Sequence, residues 1–219
     1  MMKYIRGGGS MTGRTPRLRF KDSDGSEFPK WEERRISEFS KIFAGATPST
    51  KIPEYWKDGT ILWMSSGEVN NSYITNVEKK ITKLGFDNSS TKMVKPDSVV
   101  VALAGQGKTR GKVAYIQTEL CTNQSLASIE TDNSVLGLYL FFYLGTQYEK
   151  LRSLSSGDGI RGGLNLNLIS SVTVPIPSLP EQQRIASLFS ALDGRICAAQ
   201  RKVDALRSMK KGFLQQMFV

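Results

Sequence analysis

The chain predicts an α+β fold: a mixed α/β globular body of many short strands, followed by one long C-terminal α-helix that forms a coiled coil. Three observations lead there. Short β-rich pieces divided by Gly, Asn, Asp and Ser occupy the middle of the chain, the pattern of brief strands joined by turns. The apolar stretch Val135–Leu154 (VLGLYLFFYLGTQYEKLRSL) is long enough for a buried helix. From Pro180 to Phe218 no proline interrupts a run of mostly helix-favouring residues.

Taken in order, residues 1–14 contain Gly7-Gly-Gly-Ser10 and a further Met at position 11, which reads as a tag or linker. Residues 15–178 form the globular body and 179–219 the helix. Thr15 to Pro29 is polar and turn-rich and reads as an extended arm. Trp31–Phe43 fits a short amphipathic helix or an irregular strand, with Ile36, Phe39 and Phe43 at three- and four-residue spacing. Strands are expected at Ile61–Met64, Tyr73–Val77, Val99–Ala104, Lys112–Gln117, Leu126–Ile129 and Leu168–Ile176, the last stopped by Pro175 and Pro177. Trp31, Trp56 and Trp63 read as packing residues rather than base-stacking ones.

In the last segment Pro180 suits a first helical turn and Glu181 sits where the helix dipole favours an acid. Ile185, Phe189, Leu192, Ile196, Ala199, Val203, Leu206, Lys210, Phe213 and Met217 recur at alternating four- and three-residue steps, all apolar but Lys210. A repeat of this length is a coiled-coil seam, because 3.5-residue periodicity holds one stripe against a partner helix. The alternative is an amphipathic helix lying on its own domain. A rod of about 58 Å, at about 1.5 Å per residue, is longer than such a domain is wide.

The formal charge of +10 points to a polyanionic partner, nucleic acid first. The absence of histidine excludes Ser-His-Asp and Cys-His catalysis and histidine metal sites. Cys121 and Cys197 lie far apart with no metal-ligand spacing, so no metal and no disulfide framework is expected. No long apolar run and no signal-peptide core is present, which predicts a soluble, cytoplasmic protein that does not engage a membrane.

Val99–Gln117 contains Ala102-x-x-x-x-Gly107-Lys108-Thr109, a loose form of the phosphate-binding loop. A working loop of that kind opens a helix, whose first N–H groups hold the phosphates. Here Thr109-Arg-Gly-Lys112 runs into Val113-Ala-Tyr-Ile116, a β-rich piece, so a hairpin is predicted. What remains is a glycine loop bearing Gln106, Lys108, Thr109, Arg110 and Lys112, side chains suited to DNA phosphates and, for Gln and Arg, to base edges. Methyltransfer, dinucleotide and nuclease readings lack their motifs: no two prolines adjoin, no G-x-G-x-x-G follows a strand, and no acid beyond Pro96-Asp97 has Lys two residues later. The chain is read as non-catalytic and cofactor-free; a small NTPase and a coiled-coil scaffold with incidental charge are the competing readings.

Trp31-Glu-Glu-Arg-Arg-Ile-Ser-Glu-Phe39, Gly45-Ala-Thr-Pro-Ser49, Glu54-Tyr-Trp-Lys-Asp-Gly59, Gly105-Gln-Gly-Lys-Thr-Arg-Gly-Lys-Val-Ala114, Cys121-Thr-Asn-Gln-Ser125, Leu164–Pro177 and Pro180-Glu-Gln-Gln-Arg-Ile-Ala186 occur in an order that resembles the specificity subunits of type I restriction–modification enzymes. The resemblance implies a target recognition domain over 15–178 that reads one half of a split double-stranded DNA target, and a helix that serves as spacer. It implies methyltransferase subunits as partners and, for cleavage, a restriction subunit. The family carries two such domains and two helices, and this sequence reads as half a subunit. Candidate DNA contacts are Gln106, Lys108, Thr109, Arg110 and Lys112, then Ser65, Ser66 and Glu68, then Asn123, Gln124, Arg161 and Asn165. An unpaired seam should find a twin, so a homodimer through Ile185, Phe189, Leu192, Ile196, Val203, Leu206, Phe213 and Met217 is expected.

Overall fold

Val99 and Val101 pack into one hydrophobic cluster while Val100 and Ala102 pack into another, so the middle strand of the body is covered on both faces. That is why its sequence is an unbroken apolar run instead of an alternating one. The computed structural model describes residues 16–105, 109–154 and 163–218. In chain order the strands are β1 (Glu32–Arg35), β2 (Ser40–Ala44), β3 (Ile61–Met64), β4 (Tyr73–Ile74) and β5 (Lys80–Ile81). Helix α1 (Lys83–Asp87) separates these from β6 (Met93–Val94), β7 (Ser98–Ala102), β8 (Val113–Ile116), β9 (Leu120–Thr122) and β10 (Leu126–Thr131). Then come α2 (Gly137–Thr146), α3 (Tyr148–Leu154), α4 (Leu166–Ser170), β11 (Thr173–Ile176) and α5 (Leu179–Phe218).

A five-stranded sheet in the order β2-β10-β7-β8-β4 forms the centre. One face is covered by α2, α3 and α4 through Leu140, Leu144, Leu151 and Ile169. The other packs on a four-stranded sheet, β5-β3-β9-β6, through Met64, Val94 and Leu120. Antiparallel β1-β11 makes a small third sheet. Gly45 lets β2 pass the second sheet closely: a Cβ there would lie 1.9 Å from the carbonyl oxygen of Thr122.

The α+β class and the strand at Ile61–Met64 match the sequence reading, and strands occupy most of the other expected positions. Three segments differ. Trp31–Phe43 is neither one helix nor one strand but β1, a single 3-10 turn at Ile36–Glu38 and β2, with Ile36 and Phe39 in the core. Val135–Leu154 is divided into α2 and α3 at Gln147, and its first two residues lie outside any helix. Leu168–Ser170 is helical rather than extended, because the Asn165 side chain caps α4 by accepting from the backbone N–H of Leu168 at 3.0 Å. The strand begins only at Thr173.

α5 is a single helix of 40 residues, about 60 Å at ~1.5 Å per residue. Its start is clamped by Glu181, fully buried, which accepts from Arg19 Nε at 2.9 Å, Arg19 Nη2 at 2.7 Å and Trp31 Nε1 at 2.9 Å. Gln182, also buried, accepts from the Leu136 N–H at 2.9 Å and donates to the carbonyls of Ser134 at 3.0 Å and Pro177 at 2.9 Å. Ile185 joins the body's own core, Phe189 packs on Phe142 with centroids 5.4 Å apart, and the Tyr73 hydroxyl donates to Asp193 at 2.7 Å. Two residues assigned to the seam, Ile185 and Phe189, are therefore engaged within one chain. From Gly194 onward α5 leaves the body; nearly every residue to Phe218 is exposed. Among the described residues no helix is long and apolar enough to cross a membrane.

Removing one partner of a buried ion pair strands the other charge, at a cost of about 3–5 kcal/mol. Glu181→Ala should therefore lower unfolding free energy by about 3 kcal/mol in denaturant titration, with loss of the Trp31 fluorescence environment, whereas Glu27→Ala on the exposed arm should change it by less than about 0.5 kcal/mol.

Candidate nucleic-acid interface

β7 and β8 are antiparallel neighbours, with Val101 opposite Val113 and Val99 opposite Tyr115. The segment resembling a phosphate-binding loop is therefore a hairpin connection, and a strand rather than a helix follows it. Its stem is closed by Ala102 N–H to the Lys112 carbonyl and Gly111 N–H to the Ala102 carbonyl, both 2.9 Å. Gly111 has φ of 82°, a left-handed conformation glycine adopts at little cost. A Cβ there would meet the Arg152 side chain at 3.2 Å, so the stem also rests on α3.

Three other connections converge beside this hairpin. The Lys112 ammonium donates to Asn70 Oδ1 at 2.6 Å, bringing in the turn Ser66–Asn71 after β3. Leu103 N–H donates to the Ser125 carbonyl at 2.9 Å and Asn123 N–H to the Met64 carbonyl at 3.1 Å, bringing in the β9–β10 turn. Thr47 Oγ1 donates to Gln124 Oε1 at 2.7 Å, adding the segment after β2. The parallel β3–β9 pair and the antiparallel β2–β10–β7 ladder put all four at one end of the body.

Arg110, Lys112 and Arg152 lie at the loop end, together with Glu68. The far end is mixed in charge: Asp97, Glu119 and Asp132 flank the same strands there and Glu130 lies near the end of β10, accompanied by Arg34, Lys41 and Lys95. A basic end made of turns, with exposed side-chain amides at Asn70 and Gln124, suits a phosphate backbone and the base edges behind it.

The candidate residues divide accordingly. Thr109, Arg110, Lys112, Ser65, Ser66, Glu68, Asn123 and Gln124 are together at this end, whereas Gln106, Lys108 and Arg161 lie outside the described residues. Glu68 is engaged in structure: its carboxylate accepts from Ser65 N–H at 2.8 Å, Ser65 Oγ at 3.0 Å and Glu78 N–H at 3.1 Å. Asn123 accepts from the Ser125 N–H at 3.1 Å, a local turn contact. Asn165 is the cap of α4. Thr47, Asn70 and Arg152 were not anticipated; each is brought to the end by pairing that leaves no mark in local sequence. Among the described residues no group of three His, Cys, Asp or Glu could hold a metal ion. Burial pushes the Cys121 thiol up to about 11, so it stays protonated at neutral pH, while Cys197 is exposed on α5.

Residues 29–205 match the type I restriction modification DNA specificity domain. The chain belongs to that family. The specificity subunit of the type I restriction enzyme MjaIX of Methanocaldococcus jannaschii is 28% identical over 206 residues, covering 91% of this chain and 46% of that protein. The EcoR124I/EcoR124II specificity subunit of Escherichia coli is 25% identical over 166 residues, covering 74% and 41%. This specificity-domain chain thus spans under half the length of these curated relatives. A chain from a type I R-M system, solved to explain complex assembly and conformational transition, shares the fold with TM-score 0.64 at 17% identity, covering 90% of this chain and 47% of its own.

Because the Glu68 carboxylate holds a turn of this specificity domain rather than facing outward, Glu68→Ala should cost about 1 kcal/mol of stability, the usual worth of a cap. Urea titration of the variant against the wild-type chain checks the loss.

Proposed function

We propose that this chain is a non-catalytic reader of double-stranded DNA within a type I restriction–modification assembly. Its loop end meets the duplex, and its α5 sets the distance to a second reading head. The observation that carries the reading is the convergence of four connections, with Arg110, Lys112 and Arg152 among them, at one end of the central sheet. Arg110 and Lys112 supply charge, and the exposed Gln124 supplies an amide of the kind that pairs with adenine, while Asn70 positions Lys112. Residues 15–178 act as the recognition domain and 179–219 as the spacer. Methyltransferase subunits are the partners that modify DNA, and a restriction subunit joins for cleavage. Family membership supports both roles.

A second head comes from a second copy of the chain. Leu192, Ile196, Val203, Leu206, Phe213 and Met217 remain exposed along α5, and apolar surface of that extent is covered in functional proteins. Two copies related by a two-fold axis read an inverted repeat with a fixed gap.

Arg110→Ala should weaken binding to the cognate duplex by about 1–3 kcal/mol with relaxed specificity where it reads a base; Lys112→Ala should weaken cognate and random duplexes alike and reduce the salt slope by about 1. Wild-type affinity in both variants, with salt slope intact, would overturn the placement of DNA on this end. Val203→Asp combined with Leu206→Asp should give a monomer by light scattering with the head still folded, and should reduce affinity for a two-site duplex by at least ~100-fold through lost avidity.

A further inference from the structure

The segment after β2 is built as a fixed support. The ladder between β2 and β10 ends with Ala44 opposite Ala127, so the residues that follow leave the sheet beside the β9–β10 turn. Trp63, almost fully buried, donates its indole N–H to the Ala46 carbonyl at 3.0 Å, and Trp56 donates to the Ser49 carbonyl at 3.1 Å. The two rings meet edge to face, with centroids 5.1 Å apart and planes at 86°. Pro48, between the two bonded carbonyls, is buried, and its ring fixes φ. Thr47 lies inside this pinned stretch with its side chain exposed, and its hydroxyl donates to Gln124 Oε1 at 2.7 Å.

Gln124 is held from its own side as well. The preceding residue, Asn123, donates its N–H to the Met64 carbonyl at 3.1 Å, and the following residue, Ser125, accepts from the Leu103 N–H at 2.9 Å. Ser125 N–H also donates to the Asn123 carboxamide at 3.1 Å. With the backbone fixed on both sides, the exposed Gln124 side chain is steadied at its far end by Thr47. Its Nε2 has no acceptor among the described residues. Asn70, by contrast, spends both ends of its amide, donating to the Gly67 carbonyl at 2.8 Å and accepting from Lys112. A long side chain loses rotamer freedom when it docks on a base, and one already held in place loses less.

We propose that Thr47 is a positioning residue for Gln124, and that through it Gln124 reads one adenine in the major groove. The inference rests on the reading that this end meets the duplex. With Oε1 turned to Thr47, Nε2 is presented outward and needs an acceptor. Both purines offer N7. The carboxamide oxygen has two lone pairs; Thr47 takes one, and the other can accept from the N6 amino group of adenine. Guanine carries O6 at that place, which would set oxygen against oxygen. Trp56 and Trp63 thus act on base choice without touching DNA, by fixing the segment that aims the amide.

Sequencing of the duplexes that the full chain selects from a pool of randomised double-stranded DNA tests this. The wild-type chain should enrich adenine at one position by about 5- to 150-fold, the discrimination given by one good fork. Gln124→Ala and Thr47→Val should each reduce that enrichment to below about 2-fold at that same position while preferences elsewhere persist. Thr47→Ser, which keeps the hydroxyl, should restore it, and the double variant Thr47→Val with Gln124→Ala should be no flatter than either single one, as expected of coupled residues. Gln124→Glu presents an oxygen outward and should move the preference to cytosine, whose N4 is a donor. Adenine enrichment retained in Gln124→Ala overturns the inference. So does enrichment lost in Gln124→Ala but kept in Thr47→Val, or preferences at every position flattened together by Thr47→Val without rescue by Thr47→Ser. In each of these cases weakened binding by Arg110→Ala and Lys112→Ala leaves the loop end as the DNA-binding end. A wild-type chain that enriches no base, with those two variants at wild-type affinity, overturns that reading and the inference with it.

Discussion

The buried carboxylate of Glu181 is the contact on which the molecule's geometry depends. A helix that projects from a body keeps a defined direction only if the joint between them is rigid, and here the joint is made in the first turn of α5. Glu181 gathers Arg19 and Trp31 from the N-terminal arm, and Arg19 in turn donates to the carbonyls of Phe28 and Pro29. Arg184, one turn on, donates to the Lys21 carbonyl and lies over the Phe28 ring. The arm is thus stitched to the helix, and the helix to the body, around two side chains removed from water, Glu181 and Gln182. A buried charge is a poor source of net stability, but its partners must all be in place for it to be tolerated, and that condition is what gives α5 one direction.

Gln182 extends the same logic to neutral groups. Its amide satisfies the N–H of Leu136 and the carbonyls of Ser134 and Pro177 at the point where α2 begins and β11 has ended. Those backbone groups have no helix or ladder partner of their own, and leaving them unpaired in a dry site would cost about 1–3 kcal/mol each. The Pro-Glu-Gln-Gln-Arg run is therefore a set of specific contacts. Proline starts the turn, Glu181 binds the arm, Gln182 closes the body, and Arg184 returns to the arm.

How much of this could be read from sequence follows from which interactions are local. The hairpin at Val99–Gln117, the strand at Ile61–Met64 and the long helix are set by short-range pattern: β-branched runs, glycines and heptad spacing. Leu168–Ile176 is rich in β-branched residues and so reads as one strand, while the contact that makes its start helical is one Asn165 side chain three residues before Leu168. Glu68 follows a strand, the place of a loop contact, yet its partner Glu78 is ten residues away and meets it only when the turn folds back. Thr47, Asn70 and Arg152 carry no local signal at all. Their place depends on β3 running parallel to β9 and on β4 joining the edge of the main sheet beside β8, pairings between segments distant in sequence.

The joint and the reading end are also coupled to each other over a short path. Lys112 of the hairpin holds Asn70; the turn containing Asn70 ends at Ser72, whose carbonyl accepts from the Tyr115 N–H at 2.7 Å. The next residue, Tyr73, begins β4 and donates its hydroxyl to Asp193. Burial, with help from that acceptor, raises the Tyr73 hydroxyl far above its ordinary range, so it remains a donor at any pH at which the protein would meet DNA. Hairpin, turn, edge strand and spacer are thus joined by consecutive hydrogen bonds, with Phe141 and Phe142 filling the space between Tyr73 and Phe189. A loop carried on a flexible tether could bind phosphate but could not hold a register on the duplex. Tied through three hydrogen bonds to the helix proposed to measure the gap, it can do both.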